Sequence, residues 1–460
     1  MITPVPIDIE RYLATARWFA GKGRAFRVSS TRVAVVPGQG PPALVVLAEV
    51  DYPDAGDDSE LYQLPVSLHR EPQDGLEHAW LGQWDDVHAY DAVHDRAAMS
   101  AWLEAFVSPG STGPLHFERS DRTQLDTSQR PALMTADQSN SSVAFGEDTL
   151  LKVFRKVTQG GNPDIEIHDL LTRAGSSHVA ALHGWVDWRT NDGEVIQLAM
   201  LQQFLRTASD GWTLATGSVR SLFAEADLHA HEVGGDFASE AARLGEALAE
   251  THATLAAEFP TELLSDAGAQ HLADVMLGRL DAAVEAVPAL AAYADRLRPL
   301  MAAVGDAAGV QAQRIHGDLH LGQTLRTVKG WKLVDFEGEP ARPLAERRLP
   351  EPVWRDVAGM LRSFDYVSAV VQRELDGDSQ TREQRAYRGA EWVEHNRRAF
   401  LTAYAGGELS PEQRLLLDAF EADKAVYECA YEIRNRPDWA DIPLAAVARL
   451  CSQEGHPEGE

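Results

Sequence analysis

His316-Gly317-Asp318-Leu319-His320-Leu321-Gly322-Gln323 is followed, beyond the apolar run Trp331 to Val334, by Asp335-Phe336-Glu337-Gly338. The stretch sets out a carboxylate, an amide five residues later, and a second carboxylate behind what reads as a hairpin. A bare H-G-D triplet arises often by chance and carries little weight. The full string, with D-F-E-G trailing it, leaves little room for a purely structural reading. His316 and His320 have the i, i+4 spacing that zinc sites use, but Gln323 and Asp335 offer oxygens that suit Mg²⁺ better.

The string resembles the catalytic core of a kinase. Protein kinases place an Asn five residues after the catalytic-loop Asp, then a metal-binding Asp in a D-F-G motif. Gln323 and Asp335 stand at those places. The resemblance makes Asp318 the acceptor of a proton from the attacking hydroxyl, and Gln323 and Asp335 the holders of Mg²⁺ on the ATP phosphates. Supporting roles fall to His316, His320, Glu337 and Asp356. His316 is expected to brace the loop by hydrogen bonding, and His320 to orient phosphate or to pack.

With 460 residues, 44% hydrophobic and 24% charged, the chain reads as a soluble protein of two or three domains. No apolar run approaches the ~20 residues of a membrane helix. Met1-Ile2-Thr3-Pro4 does not open a signal peptide, so a cytoplasmic location is expected. A net charge of −28 argues against nucleic acid as a partner. Cys429 and Cys451 cannot build a disulfide framework. Lysine is scarce, confined to Lys22, Lys152, Lys156, Lys329, Lys332 and Lys424, so each retained lysine is a candidate for a specific task.

The pattern along the chain predicts an α+β, bilobal, protein-kinase-like fold with an N-terminal cap. Residues 1–90 form the cap, with strands at Thr31 to Val36, Pro42 to Val50 and Glu60 to Leu68, an acidic insert from Asp51 to Glu60, and Trp18 and Phe19 in its core. Residues 91–204 form an N-lobe in strand, strand, helix, strand, strand order. Residues 205–460 form a helical C-lobe, in which Leu244, Leu248, Thr251 and Leu255 share a face. His252 reads as a core or boundary histidine. Residues 268 to 304 read as one helix or a pair, and Ser410-Pro411-Glu412-Gln413 as the start of a helix running toward Arg436.

A kinase core requires a lysine for the phosphates and an acid to position it. Leu150-Leu151-Lys152-Val153-Phe154 places a lysine in an apolar strand, where burial is costly without a counter-charge. Glu166 is the expected partner, with Asp164 as a competitor. Upstream, Ser139, Asn140, Ser141 and Ser142, preceded by Gln138, stand where a glycine-rich loop would cradle phosphates. Backbone groups of Gln202, Gln203 and Phe204 are expected at the adenine edge.

Several long strings make the whole chain similar to the actinobacterial maltokinases, within the aminoglycoside-phosphotransferase-like branch of the kinase fold. They are Arg17-Trp18-Phe19-Ala20-Gly21-Lys22-Gly23-Arg24, Gln138 to Ser142, Leu151-Lys152-Val153-Phe154-Arg155 and Asn162-Pro163-Asp164-Ile165-Glu166. Further strings run from Ala230 to Ala238, from Asp356 to Phe364, and from Lys424 to Glu428 with Arg436-Pro437 beyond. Ser141 stands where Thr is expected and Asp137 where Glu is expected. The resemblance implies ATP and Mg²⁺ as cofactors and phosphorylation of maltose at its anomeric hydroxyl, giving maltose 1-phosphate for α-glucan synthesis. It also implies an association with trehalose synthase. A monomer or homodimer is expected.

In the helix after Ser410, Lys424, Glu428, Tyr431 and Asn435 fall on one face. The plain reading is a solvated face with a Lys424–Glu428 pair. The family resemblance favours a sugar site using Lys424, Tyr427, Glu428 and Tyr431. Trp354, Trp392 and Trp439 are further candidate platforms for the sugar, though such residues are more often core. Two rivals stand beside the maltose reading. One is a kinase of the same fold for glucosamine or an aminoglycoside, and the other a nucleotide-binding partner subunit of trehalose synthase.

Overall fold

The computed structural model describes residues 7–453, apart from 39–40, 54–58, 109–110, 121–123, 135–138, 207, 226–228, 233–235 and 340–341. Part of the acidic insert, Asp137, Gln138, Val233 to Gly235 and most of the polar tail therefore lie outside the described residues. The chain divides into two compact units, 1–172 with 180–206, and 173–179 with 207–460. The boundary expected near 204 falls at this division, whereas the one near 90 separates two sheets within one compact unit.

The first unit opens with α1 (Ile9–Thr15), capped by Asp8, whose carboxylate accepts from Arg11 N. Five antiparallel strands follow: β1 (Arg27–Val35), β2 (Ala43–Asp51), β3 (Ser59–His69), β4 (Trp80–Trp84) and β5 (Val87–Asp91). Next come α2 (Arg96–Val107), β6 (Ser111–Thr112), β7 (Leu115–Arg119), β8 (Pro131–Leu133), β9 (Asn140–Phe145), β10 (Thr149–Phe154) and β11 (Lys156–Val157). Helix α3 (Pro163–Arg173) and strands β12 (Leu182–Arg189) and β13 (Val195–Gln203) complete the unit, so the predicted lobe order is observed.

The cap sheet has the order β1-β2-β3-β5-β4, and β11 adds to it by pairing with β3. The lobe sheet runs β6-β7-β12-β13-β10-β9-β8. Strand β2 is apolar and buried almost throughout because both of its faces are covered. On one side Leu44, Val46 and Val50 meet Leu13, Phe19 and Tyr62. On the other, Val45 and Leu47 join Trp102, Phe106, Val153 and Leu198 in a core shared with the lobe sheet. The predicted core role of Phe19 holds, since it is 2% exposed.

The second unit holds β14 (Ser209–Asp210), α4 (Gly211–Ala224), α5 (Ala238–Glu258), β15 (Glu262–Leu263), α6 (Asp266–Ala286), α7 (Ala291–Ala302) and β16 (Gln311–Ala312). After the hairpin β17 (Thr324–Thr327) and β18 (Gly330–Leu333) come α8 (Leu344–Arg347), α9 (Trp354–Glu374), α10 (Ser379–Ala405), α11 (Pro411–Asn435) and α12 (Asp441–Gln453). The stretch read as one helix or two is the pair α6 and α7. Leu244, Leu248, Thr251 and Leu255 are buried together on α5. At the start of α11, Ser410 and Gln413 form a reciprocal capping box, worth about 1 kcal/mol. Trp354 and Trp392 are core residues, as expected. No helix among the described residues is long and apolar enough to cross a membrane.

Candidate active site

The catalytic-loop string is held from behind by the first turn of α9. Asp356, 1% exposed, accepts from His316 N at 2.7 Å, Gly317 N at 2.8 Å and His252 Nε2 at 3.0 Å. Burial alone would raise its pKa, but the His252 hydrogen bond and charge, with the loop N–H groups, hold it below the usual carboxylate range. His252 is thus a satisfied core histidine, its Nδ1 lying 2.9 Å from Tyr404 OH. His316 braces the loop as predicted: Nε2 donates to Val334 O at 2.9 Å, and Nδ1 faces Asp318 N at 3.4 Å. Gly317 has φ +84°, a conformation glycine adopts without the strain other residues carry.

The β17–β18 hairpin pairs Thr324 with Leu333 and so brings the residues flanking it side by side. Gln323 Nε2 donates to Asp335 Oδ2 at 3.0 Å. Asp335 has φ +69°, a left-handed backbone with a strain cost on the order of 1 kcal/mol. With the Gln323 amide turned to present Oε1, the two side chains would offer the oxygens that a hard divalent cation takes. Glu337 contributes its backbone carbonyl to Arg347 Nη1 at 3.3 Å.

Asp318 opens onto a cavity of about 640 Å³ lined by Leu319, His320, Lys424, Tyr427, Glu428 and Tyr431, among others. The predicted sugar-site residues of α11 therefore share one cavity with the predicted base. Lys424 Nζ stands 3.6 Å from Asp318 Oδ1, so it pairs with Asp318 rather than with Glu428. Glu428 instead receives Arg362. Tyr427 and Tyr431 stack with ring centroids 6.3 Å apart. Asn435 does not join them, because its amide donates to Tyr431 O at 2.8 Å near the end of its own helix.

His320 lines the cavity with a ring that burial keeps neutral at neutral pH. Its Nδ1 accepts from Gly322 N at 3.0 Å, which assigns the proton to Nε2 and makes that atom a donor. Sequence reasoning missed Trp212, Glu339, Tyr366, Glu432 and Arg436 in the cavity wall; of its three candidate tryptophans, Trp439 lines the cavity under the Arg436 guanidinium, 4.4 Å away. The signal for Trp439 was the Arg436-Pro437 stop, which turns the chain back beside α11.

In the first unit, Lys152 Nζ donates to Asp164 Oδ2 at 3.0 Å, in the first turn of α3. Asp164 is fully buried, and Lys152 and His168 overcome the cost of burial to hold it well below the ordinary carboxylate range. Glu166 lies in the same turn. Ser142 is the cross-strand partner of Lys152.

Two expectations need correction. Asn140, Ser141 and Ser142 lie on strand β9, and only Ser139 keeps a non-strand conformation. Because side chains alternate along a strand, Ser141 points to the face opposite Lys152, where its hydroxyl accepts from Arg155 Nε at 2.8 Å. The adenine-edge reading is narrowed as well. Gln203 N already donates to Ala181 O and Phe204 N to Asp148 O, both at 2.8 Å.

Residues 12–95 match the maltokinase N-terminal cap domain, and residues 230–392 match the phosphotransferase enzyme family. Glucosamine kinase of Streptacidiphilus jiangxiensis is 31% identical over 334 residues, covering 69% of this chain and 72% of that protein. Glucosamine kinase of Mycolicibacterium smegmatis is 27% identical over 391 residues, covering 81% and 91%. A solved glucosamine kinase in complex with glucosamine, ADP and inorganic phosphate superposes with a TM-score of 0.69 at 23% identity, over 96% of this chain and 99% of that one. The catalytic-loop geometry and these matches place the chain in the phosphotransferase enzyme family, among those members that carry a maltokinase N-terminal cap domain.

Proposed function

We propose that this phosphotransferase is an ATP-dependent sugar kinase that phosphorylates maltose at its anomeric hydroxyl, releasing ADP and maltose 1-phosphate. The observation that carries the reading is the cavity itself, in which Asp318 shares a wall with Lys424, His320 and an aromatic group of Tyr427, Tyr431 and Trp439. Carbohydrate sites pair planar polar groups with ring faces in this way, and the volume accommodates more than one sugar ring. Asp318 takes the proton from the acceptor hydroxyl as that oxygen attacks the γ-phosphorus in line. Lys424 offsets negative charge beside Asp318, and His320 Nε2 supplies a donor. Lys152, steadied by Asp164, is assigned to the nucleotide phosphates. Gln323 and Asp335 would hold Mg²⁺, which neutralises charge on the phosphates.

A second reading, an amino sugar as acceptor, is favoured by Glu339, Glu428 and Glu432 in the cavity wall and by the names of the relatives. Phosphate transfer from Mg-ATP to maltose, glucosamine and glucose in parallel separates the two, with Asp318→Asn as control. Transfer to maltose that requires Asp318 supports the first reading. Transfer confined to glucosamine replaces it with the second.

A further inference from the structure

A second cavity, of about 820 Å³, opens among α9, α10 and α12 of the helical unit, and the chemistry above gives it no task. It shares no lining residue with the cavity beside Asp318. Its inner wall is a set of charged groups. Asp365 accepts from Arg449 Nη1 at 2.8 Å and Nη2 at 2.9 Å, and its Oδ2 also accepts from Arg362. Glu421, 1% exposed, accepts from Arg397 at 2.8 and 2.7 Å and from Arg449 at 2.9 Å.

The same groups lead to the other cavity. Arg362 donates to Glu428, which lines the cavity beside Asp318. Arg449, Asp365, Arg362 and Glu428 therefore form an unbroken chain of charged hydrogen bonds between the two. Buried ion pairs contribute little net stability over well-packed apolar side chains. Stability alone does not account for three guanidiniums meeting three carboxylates here. What the chain does provide is a link: Asp365 Oδ2 is shared by Arg449 and Arg362, so a change in one bond is felt by the other.

The lining suits a ligand that carries both an anionic group and hydroxyls. Arg373, Arg382, Arg397 and Arg449 all line the cavity. Arg373 is engaged by Asp441. Arg382 is exposed, and no carboxylate pairs with it among the described residues. Guanidiniums take phosphate oxygens through forked, charge-assisted hydrogen bonds. Carboxylates line the cavity as well, so a bare anion is the poorer match. Asp376, Gln372 and Ser368 offer partners for hydroxyls, and Val393 and Ile442 an apolar wall for ring C–H groups.

We propose that this cavity binds a phosphorylated saccharide, the chemical class of product that a sugar kinase releases, and thereby weakens binding of the acceptor. Phosphate draws Arg449 from Asp365, Asp365 then holds Arg362 more strongly, and Glu428 loses part of what orients it. Linkage makes the effect mutual, so the acceptor weakens sugar-phosphate binding by the same factor. The relay rests on the reading of the cavity beside Asp318 as the acceptor site; the binding site itself does not.

Calorimetry on the full chain measures the Kd for maltose 1-phosphate, with inorganic phosphate in parallel, for the wild type, Arg382→Ala and Asp365→Asn. Whichever of maltose or glucosamine is phosphorylated is added to saturation, so that the cavity beside Asp318 is filled. Maltose 1-phosphate should still bind, and Arg382→Ala should weaken that binding about tenfold. In steady-state kinetics maltose 1-phosphate should raise acceptor KM about threefold to tenfold. Arg382→Ala should need about tenfold more of it for the same effect, with kcat and KM unchanged in its absence. Asp365→Asn should retain binding and lose the Arg382-dependent rise in KM. The proposal is overturned if the acceptor abolishes maltose 1-phosphate binding, if Arg382→Ala leaves binding and inhibition unchanged, or if inorganic phosphate binds equally well. A chain that phosphorylates neither sugar would overturn the acceptor reading and the relay with it, while Arg382-dependent binding would still uphold the site.

Discussion

Arg362 donates from both Nε and Nη2 to a single oxygen of Glu428, at 2.9 and 2.7 Å. The pair joins the middle of α9 to the cavity beside Asp318, and Arg362 also bonds Asp365, which Arg449 grips at 2.8 and 2.9 Å. Glu428 is thereby oriented by a guanidinium that is itself 1% exposed. Glu428→Gln keeps the shape but weakens both charge-assisted bonds. It is expected to raise acceptor KM about tenfold with KM for Mg-ATP unchanged, measured by steady-state kinetics. Arg362→Met deprives Glu428 of both bonds and leaves Asp365 to Arg449, and should cost about 3 kcal/mol in denaturant unfolding. An unchanged acceptor KM in Glu428→Gln would remove this residue from the acceptor site.

Asp318 is expected to act on the chemical step and not on nucleotide affinity. Asp318→Asn preserves the shape and removes the proton acceptor, so kcat should fall by about 10²–10⁴ while Mg-ADP affinity stays the same. Single-turnover transfer with calorimetry on the same protein checks both halves. Equal loss in kcat and in Mg-ADP affinity would instead assign Asp318 to nucleotide binding.

The catalytic half was legible because its spacing is local. Eight residues, a hairpin and a second carboxylate leave few arrangements, and the hairpin register alone brings Gln323 to Asp335. The face of α11 was legible for the same reason, since helical periodicity placed Lys424, Glu428 and Tyr431 together. What could not be read required distant contacts. Asp164 and Glu166 occupy one helical turn, and packing, not spacing, brings Asp164 to Lys152. Ser141 looked like loop polarity until the strand alternation turned it toward Arg155. Lysine scarcity was an uneven guide, because Lys332 is spent on the backbone carbonyls of Ser177 and Val179.

Acid stability should reflect Asp365. Burial alone would raise its pKa, but Arg362, Arg449 and Arg397 bring it from 3.8 down to about 2. A carboxylate with a depressed folded-state pKa stabilises the fold fully above its unfolded value and loses that contribution as pH falls through the folded one. The window therefore runs from just above 4 down to about 2, and the contribution is about 2 kcal/mol. Denaturant midpoints from pH 6 to pH 2 should fall across that window in the wild-type chain. Asp365→Asn should start lower and fall less. Parallel curves for the two proteins would show that the loss comes from other groups.

Gly359 faces Leu319 so closely that a Cβ built on it would stand 2.5 Å from the Leu319 carbonyl oxygen. Leu319 follows Asp318 directly, and Gly359 sits in α9 one turn beyond Asp356, which anchors the same loop. The atom it meets is backbone, so no side-chain rotation relieves the contact and the loop must shift relative to the helix. Gly278 supplies the control: it lies on an exposed face of α6 with nothing within 4 Å of its own built Cβ. Gly278→Ala should stabilise the chain by about 0.5–1 kcal/mol and leave kinetics alone. Gly359→Ala should reduce kcat at least tenfold, since a displacement of about 1 Å at the reacting group is costly, while Mg-ADP affinity is retained. Equal kcat in the two alanine variants would mean that the position of the loop tolerates the shift, and that Asp318 is not held by α9.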